Sequence, residues 1–360
     1  MNYYFHVPFC RSKCGYCAFY SLPGASPGLM EAFLEHLEQT FFPDAPAETV
    51  YIGGGTPTLF PAAQLERLLE LIRARLAPPA GTEISCEANP ETLDPEKVAL
   101  LRHHVTRISL GVQSFDPAVR KNIGRNCSDE ALDRALELIG DADFPHWNMD
   151  LIFALPGQTP AAFFSGADRA VAAGADHISC YALTAEENAA LRLPEDDDLA
   201  AEMMPDIARF MEEHGLPRYE ISNFARPGAE CRHNCNVWRG GLLAGVGPGA
   251  CGFDGTDRWR NPLLDPWLRG GAPERDVITH AARLNEIFAV NLRTAAGWTE
   301  ALWRQVPKAD AWSARLEIFR RVADSFDPKW FQLSNERIAL TGDGMMFWNT
   351  VAGEIITYGT

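Results

Sequence analysis

Three cysteines placed directly behind a short apolar stretch constrain this chain more than any other feature. Cys10, Cys14 and Cys17 stand in the order Cys-x3-Cys-x2-Cys after Tyr3–Val7. Thiolates are the ligands that iron–sulfur clusters and soft metals require. Three of them within one short loop can fold around a single cubane, a [4Fe–4S] cluster, and leave one iron without a protein ligand. A structural site would close its shell with four ligands, so three points to a centre with an open position where chemistry occurs. Gly15 permits the tight loop, and Tyr16 and Phe19 can shield it from water. A zinc knuckle or three unrelated thiols is the competing reading, although zinc sites favour paired Cys-x2-Cys or histidine-containing spacings.

The remaining cysteines fit a reduced protein. Counting the triplet there are nine in all, an odd and unevenly spaced set, behind an N-terminus (MNYYFHVPFC) with neither a basic nor a long apolar region, so no signal peptide is read there. No run approaches the roughly 18 apolar residues of a membrane span. A soluble cytoplasmic protein is the expectation. The net charge is -16, the opposite of the basic excess that neutralises phosphates, so no nucleic-acid partner is expected. Part of that acid is a local run, Glu195–Asp198, read as a solvated loop.

Short apolar runs alternate with amphipathic stretches over the first 240 residues. The strands predicted are Tyr3–Val7, Thr49–Ile52, Glu83–Cys86, Arg107–Val112, Trp147–Phe153 and His177–Leu183. The helices predicted are Leu29–Phe42, Ala62–Leu76, Asp94–His103, Asp129–Ile139 and Ala161–Ala173. This alternation specifies an α/β fold with a parallel sheet, and six units imply a partial (β/α)6 barrel of the TIM type, open on one side. Eight of the nine tryptophans lie from Trp238 onward. That shift marks a boundary, with residues 1–238 as the core domain and 239–360 as a smaller, mainly helical one. Arg337–Leu340 and Ile355–Tyr358 are read as a small β-wing.

Polar residues gather at the predicted strand ends, where α/β barrels place their sites. Gly53-Gly54-Gly55-Thr56-Pro57-Thr58 follows the second strand and lacks the order of a nucleotide-phosphate loop. Glu87 ends the third strand and can pair with an ammonium or bridge ribose hydroxyls. Gln113 ends the fourth and offers an amide, Arg125 can meet a carboxylate bidentately, and Asp150 ends the fifth and can accept from hydroxyls. Each also has a plain reading as a cap or surface group. Cys86, Cys180 and Cys251 sit among apolar or small residues and read as buried, inert thiols.

The cysteine triplet and its surroundings, HVPFCRSKCGYCAFY, resemble the radical S-adenosylmethionine superfamily. Within it they resemble the branch that contains oxygen-independent coproporphyrinogen III oxidase and the HemW-type heme chaperones. The resemblance implies a radical SAM barrel that binds S-adenosylmethionine. Gly55 and Thr56 would meet the amino group of its methionine moiety. Glu87, Gln113, Arg125 and Asp150 would contact the cofactor, with Tyr4 beside it, and Thr184 would touch adenine through its backbone. The family's histidine after Gly-Arg is replaced here by Asn126-Cys127.

Two departures favour the chaperone group. The oxidases carry a further cysteine where Phe19 stands, and they are longer ahead of the cluster strand. The segment Cys231-Arg232-His233-Asn234-Cys235-Asn236-Val237-Trp238 resembles the chaperones' HNxxYW motif, with Val237 in place of tyrosine. It implies heme as a ligand and His233 as its axial donor, neutral imidazole being common in that role. The alternative for His233 is a structural histidine at the domain junction. Implied partners are heme and heme-requiring respiratory membrane proteins, reached from the cytoplasm or the membrane periphery, with a homodimer left open. The alternative function is porphyrin decarboxylation by the oxidase reaction.

Overall fold

The computed structural model describes residues 1–183 and 198–358. Strand β1 (Asn2–Val7) leads into the cysteine loop, which is flanked by the two-residue strands β2 (Phe9–Cys10) and β3 (Leu22–Pro23). Helix and strand then alternate through α1 (Pro27–Gln39), β4 (Thr49–Gly54), α2 (Ala62–Leu76), β5 (Glu83–Ala88), α3 (Pro95–His104), β6 (Arg107–Gln113), α4 (Pro117–Asn122), α5 (Asp129–Asp141), β7 (His146–Phe153), α6 (Pro160–Ala172) and β8 (His177–Ala182). Strands β1, β4, β5, β6, β7 and β8 are neighbours in that order and all parallel. This is the six-stranded partial barrel that the alternation predicts.

The helices start where local chemistry tells them to. Ser26, Asp94 and Thr159 each cap a helix with their side-chain oxygen, and a proline follows each in the first turn. Such a cap satisfies one orphan N–H, and proline loses nothing where its missing N–H would be unpaired anyway. The helices bury one stripe against the outer faces of the strands, as with Leu65, Leu68, Leu69 and Ile72 of α2.

The inner faces differ from those of an ordinary barrel, whose interior is filled by bulky branched residues. Alternate residues of β5 to β8 point outward into the main apolar cluster, as do Ile84, Ile108, Met149 and Ile178. Their neighbours Ser85, Glu87, Ser109, Asn148, Asp150 and Ser179 line a cavity inside. The lumen is polar and hollow.

The sheet continues past residue 238. After α7 (Asp198–Glu213), β9 (Asn223–Ala225) pairs antiparallel with β8. Helix α8 (Arg232–Trp238) follows, and β10 (Leu243–Val246) then pairs parallel with β1 on its free side. The antiparallel strands β11 (Cys251–Phe253), β12 (Asp257–Arg260) and, after α9 (Leu264–Leu268), β13 (Glu274–Val277) extend the sheet to eleven strands. Ala244, Val246, Leu264 and Trp267 join the first core. The rise in tryptophan content at residue 238 therefore does not coincide with the end of the sheet, since β10 pairs with β1 beyond it.

A second apolar cluster begins at Leu284 in α10 (His280–Asn291). Here β14 (Trp298–Thr299), α11 (Glu300–Trp303), α12 (Trp312–Ala323), β15 (Phe331–Leu333), β16 (Arg337–Leu340), α13 (Gly342–Met345) and α14 (Trp348–Ile356) pack around Phe288, Trp298, Trp303 and Phe319. A wing exists, but its strands are β14, β16 and β15. Ile355 ends α14 instead, since Val351, Ala352 and Ile355 bury one helical stripe. Cys86 and Cys180 are buried as expected, whereas Cys251 is exposed on β11. Thr184 and the acidic run up to Asp197 lie outside the described residues. Among the described residues, no helix is long and apolar enough to cross a membrane.

Candidate functional site

The cysteine loop crosses the open end of the lumen. Cys10, Cys14 and Cys17 are free, partly buried thiols, and all three line one cavity of about 460 Å3. Gly15 N–H donates to the Ile123 carbonyl (3.0 Å), and Leu22 N–H donates to that of Pro8 (2.6 Å). Lys13 Nζ donates to the Phe19 carbonyl and to Ser21 Oγ (3.1 Å), pinning the loop across its width. Beneath it, Phe9 packs edge-on against Phe33 and Phe60. Among the described residues, no three His, Cys, Asp or Glu side chains converge on one ion position. Burial pushes the Cys10 and Cys17 thiols up, so a metal centre would have to draw off their protons on binding.

The triple glycine at the end of β4 is a steric requirement. A Cβ on Gly53 would lie 2.6 Å from the Glu87 carboxyl carbon, and Gly54 adopts φ +111° with the His6 ring 2.6 Å from its own Cβ position. Next in the chain, Thr56 N–H donates to the Phe9 carbonyl (2.7 Å). Its Oγ1 accepts from Asn89 Nδ2 (2.8 Å) and sits 3.7 Å from Cys10 Sγ. Arg125 donates to Asn89 Oδ1 (2.6 Å) and to the Gly111 carbonyl, and its Nη1 lies 4.0 Å from Cys14 Sγ. A chain of polar contacts thus runs from Cys10 through Thr56, Asn89 and Arg125 to Cys14. Sequence reasoning missed Asn89. Its signal is its place at the end of β5, two residues after Glu87 and immediately before Pro90.

Two carboxylates stand further in. Glu87 accepts from Tyr51 Oη (3.0 Å) and Gly54 N–H (2.9 Å). Burial, helped by nearby Asp150, raises its carboxyl to about 7. Asp150 accepts from Asn148 Nδ2 (2.7 Å) and Ser109 Oγ (3.1 Å), and burial raises it as well. A cationic, hydroxyl-bearing ligand would relieve both acids. Gln113 lines the same cavity from a strand end with φ +69°, where the β6–β7 register shifts. Tyr4 Oη donates to His6 Nδ1 (3.0 Å), because His6 Nε2 is committed to the Tyr20 carbonyl (2.9 Å). Burial keeps the Tyr4 and Tyr16 phenols protonated. Tyr4, Tyr16, Gly55, Glu87, Gln113, Arg125 and Asp150 are therefore brought together with the three cysteines. Thr56 stands just behind that wall.

His233 is not brought there. It lies at the end of the barrel where the strands begin, 5% exposed and off the cavity wall. Its Nδ1 bonds Thr49 Oγ1 (2.8 Å), its N–H donates to Glu83 Oε1 (2.8 Å), and its ring packs 5.2 Å from that of Tyr51. Burial lowers the imidazole to about 4, so it is neutral. Neighbouring Cys231 does line the cavity. A hydrogen-bonded line descends to it from Asp150 through Asn148, His177 (2.6 Å) and Tyr219 (2.8 Å) to the Cys231 N–H (3.3 Å). His177 and Tyr219 were also not singled out from the sequence. The polar member of each two-residue repeat, as in His177-Ile178-Ser179-Cys180, is the signal that finds the former.

Comparison with known proteins agrees with this architecture. Residues 4–164 match the model of the radical SAM superfamily. The chain is 40% identical to the heme chaperone HemW of Mycobacterium tuberculosis, over 72% of this chain and 70% of that relative. It is 32% identical to the heme chaperone HemW of Bacillus subtilis over 98% of each. Coproporphyrinogen III oxidase (HemN) from Escherichia coli superposes with a TM-score of 0.82 at 21% identity, covering 99% of this chain and 90% of that one. That likeness shows the fold. With a lumen that gathers three cysteines and two acids, and relatives of this similarity along its whole length, the chain belongs to the HemW family of the radical SAM superfamily.

Proposed function

We propose that this protein is a heme chaperone that carries a [4Fe–4S] cluster and S-adenosylmethionine, binds heme, and passes it to heme-requiring respiratory membrane proteins. One observation carries the cofactor part: Cys10, Cys14, Cys17, Glu87, Arg125 and Asp150 share a single cavity. In this reading the three thiolates hold the cluster, and Arg125 and Tyr16 close its inner side against water. Glu87 takes the ammonium of the methionine moiety, Asp150 takes hydroxyls, and Gly55 lets backbone approach closely. Bound there, the cluster would supply one-electron chemistry to the sulfonium. The relatives' role as heme chaperones supports the heme part, as does Phe19, 70% exposed where the oxidases carry another cysteine.

Heme ligation by His233 belongs to the same proposal and asks more of the fold. Helix α8 would have to lift from the barrel so that the imidazole, now bonded to Thr49, is freed. The test is anaerobic reconstitution followed by heme titration and by assays for 5′-deoxyadenosine and for coproporphyrinogen conversion. The reading expects cluster absorbance that is lost in Cys14→Ser, saturable heme binding, and no porphyrin product. A cluster that forms without Cys14, or absence of heme binding, overturns it, and turnover of coproporphyrinogen favours the oxidase. Heme absorbance unchanged in His233→Ala removes His233 as ligand while leaving the rest.

A further inference from the structure

The cavity does not stop at Glu87 and Asp150. Its lining continues down the barrel to Ser85, Arg107, Cys231 and Asn234. Ser85 and Arg107 are register partners on β5 and β6, and the next pair on the same faces is Glu87 with Ser109. Two residues along a strand return a side chain to the same face, so Ser85 and Arg107 form the level below the cofactor end.

Arg107 is 2% exposed. Its Nη1 donates to the Ala229 carbonyl (2.8 Å), while its Nη2 has no hydrogen-bond partner among the described residues. Ser85 Oγ, in a side chain with no exposure, is likewise without a partner. Glu83 acts on Arg107 through space, but its oxygens are taken by the N–H groups of Arg232 (3.0 Å) and His233 (2.8 Å). Asp176 acts on Arg107 through space as well, with its oxygens taken by His146 Nδ1 (2.6 Å) and the Trp147 N–H (3.0 Å). The side chains that share the cavity wall at this level are neutral: Asn234, Asn223, the Cys231 thiol, which burial holds protonated, and His177, which burial holds deprotonated. A buried guanidinium without a contacting counterion is costly. Neither acid touches the guanidinium, so water could accept its spare hydrogen bond, whereas an anion would also pair with the charge at contact distance.

We propose that this floor of the lumen is an anion site, in which a small monocarboxylate sits between Arg107 Nη2 and Ser85 Oγ, separate from the cofactor end above. One carboxylate oxygen accepts from the guanidinium and the other from the hydroxyl. Such charge-assisted pairing is geometrically selective. Asn234 supplies an amide, and the Cys231 thiol closes the apolar side.

The test is titration calorimetry of cluster-loaded protein in chloride-free buffer, with sodium acetate in one arm and inorganic phosphate in the other. Saturable one-to-one acetate binding is expected, weakened about tenfold or more in Arg107→Gln. Ser85→Val keeps the charge, removes the hydroxyl and is expected to weaken acetate as well, which decides the matter if Arg107→Gln does not fold. Absence of saturable acetate binding, or equal affinity in the variants that fold, overturns the proposal. Phosphate binding without acetate binding overturns the monocarboxylate assignment. Neither arm contains heme or S-adenosylmethionine, so failure here leaves the chaperone reading standing.

Discussion

Glu87 should make the protein's stability depend on pH in a particular direction. Its carboxyl rises from 4.5 to about 7 in the fold, chiefly by burial. A raised acid contributes stability that is fully present below its unfolded value and is lost as pH climbs through its folded value. Between pH 4.5 and 7 the unfolded chain sheds this proton while the folded chain keeps it, and above 7 the ionised group must be held in a desolvated place. At about 1.36 kcal/mol for each tenfold difference in proton affinity, the rise is worth about 3 kcal/mol. Glu87→Gln preserves the shape and mimics the protonated acid. Cluster-free wild type and Glu87→Gln should therefore melt at similar temperatures at pH 5, with the variant several degrees more stable at pH 8. A gap that is equal at both pH values, or a variant less stable at pH 8, refutes the reasoning. An ammonium seated on Glu87 reverses the preference, so S-adenosylmethionine affinity should rise through pH 7 in wild type and lose that dependence in Glu87→Gln.

Three further outcomes follow from contacts elsewhere. Lys13→Ala removes the staple to Phe19 and Ser21, and iron should leave the reconstituted protein faster under a chelator, measured as loss of cluster absorbance. Gly54→Ala places a Cβ 2.6 Å from the His6 ring at φ +111°; backbone strain alone costs about 1–3 kcal/mol, seen as a lowered melting temperature with Gly28→Ala as an unstrained control. Arg293→Ala leaves the fully buried Glu220 without its ion pair (2.8 Å), which should cost about 3 kcal/mol in chemical denaturation.

Local signals were the legible ones. The cysteine triplet and the Ala62–Leu76 helix act within a few residues, and each can be read without knowing what lies across the fold. The environment of His233 cannot be read that way, since Thr49 and Glu83 are 184 and 150 residues distant. Asn89 is similar: its meaning depends on Arg125 and Thr56, which arrive from other strand ends. The polar lumen was legible but easily overlooked. Glu83-Ile84-Ser85-Cys86-Glu87 and Arg107-Ile108-Ser109-Leu110 alternate with period two, the signature of a strand with two unlike faces. Taking them as uniformly buried strands hides the cavity. The run of strands after residue 238 was masked because tryptophan content rises before the sheet ends.

The uneven placement of tryptophan has a practical optical consequence. Trp298, Trp303 and Trp312 lie in the second apolar cluster, with Trp330 and Trp348 packed against it, while Trp147 and Trp267 belong to the first. Intrinsic fluorescence therefore reports mainly on the helical end of the molecule, and cluster absorbance on the barrel. Arg293 is one of the links between the two, its guanidinium 4.6 Å from the Trp238 ring and 5.3 Å from that of Trp348 while bound to Glu220. Followed together during denaturation, the two colours measure how tightly the halves unfold as a unit.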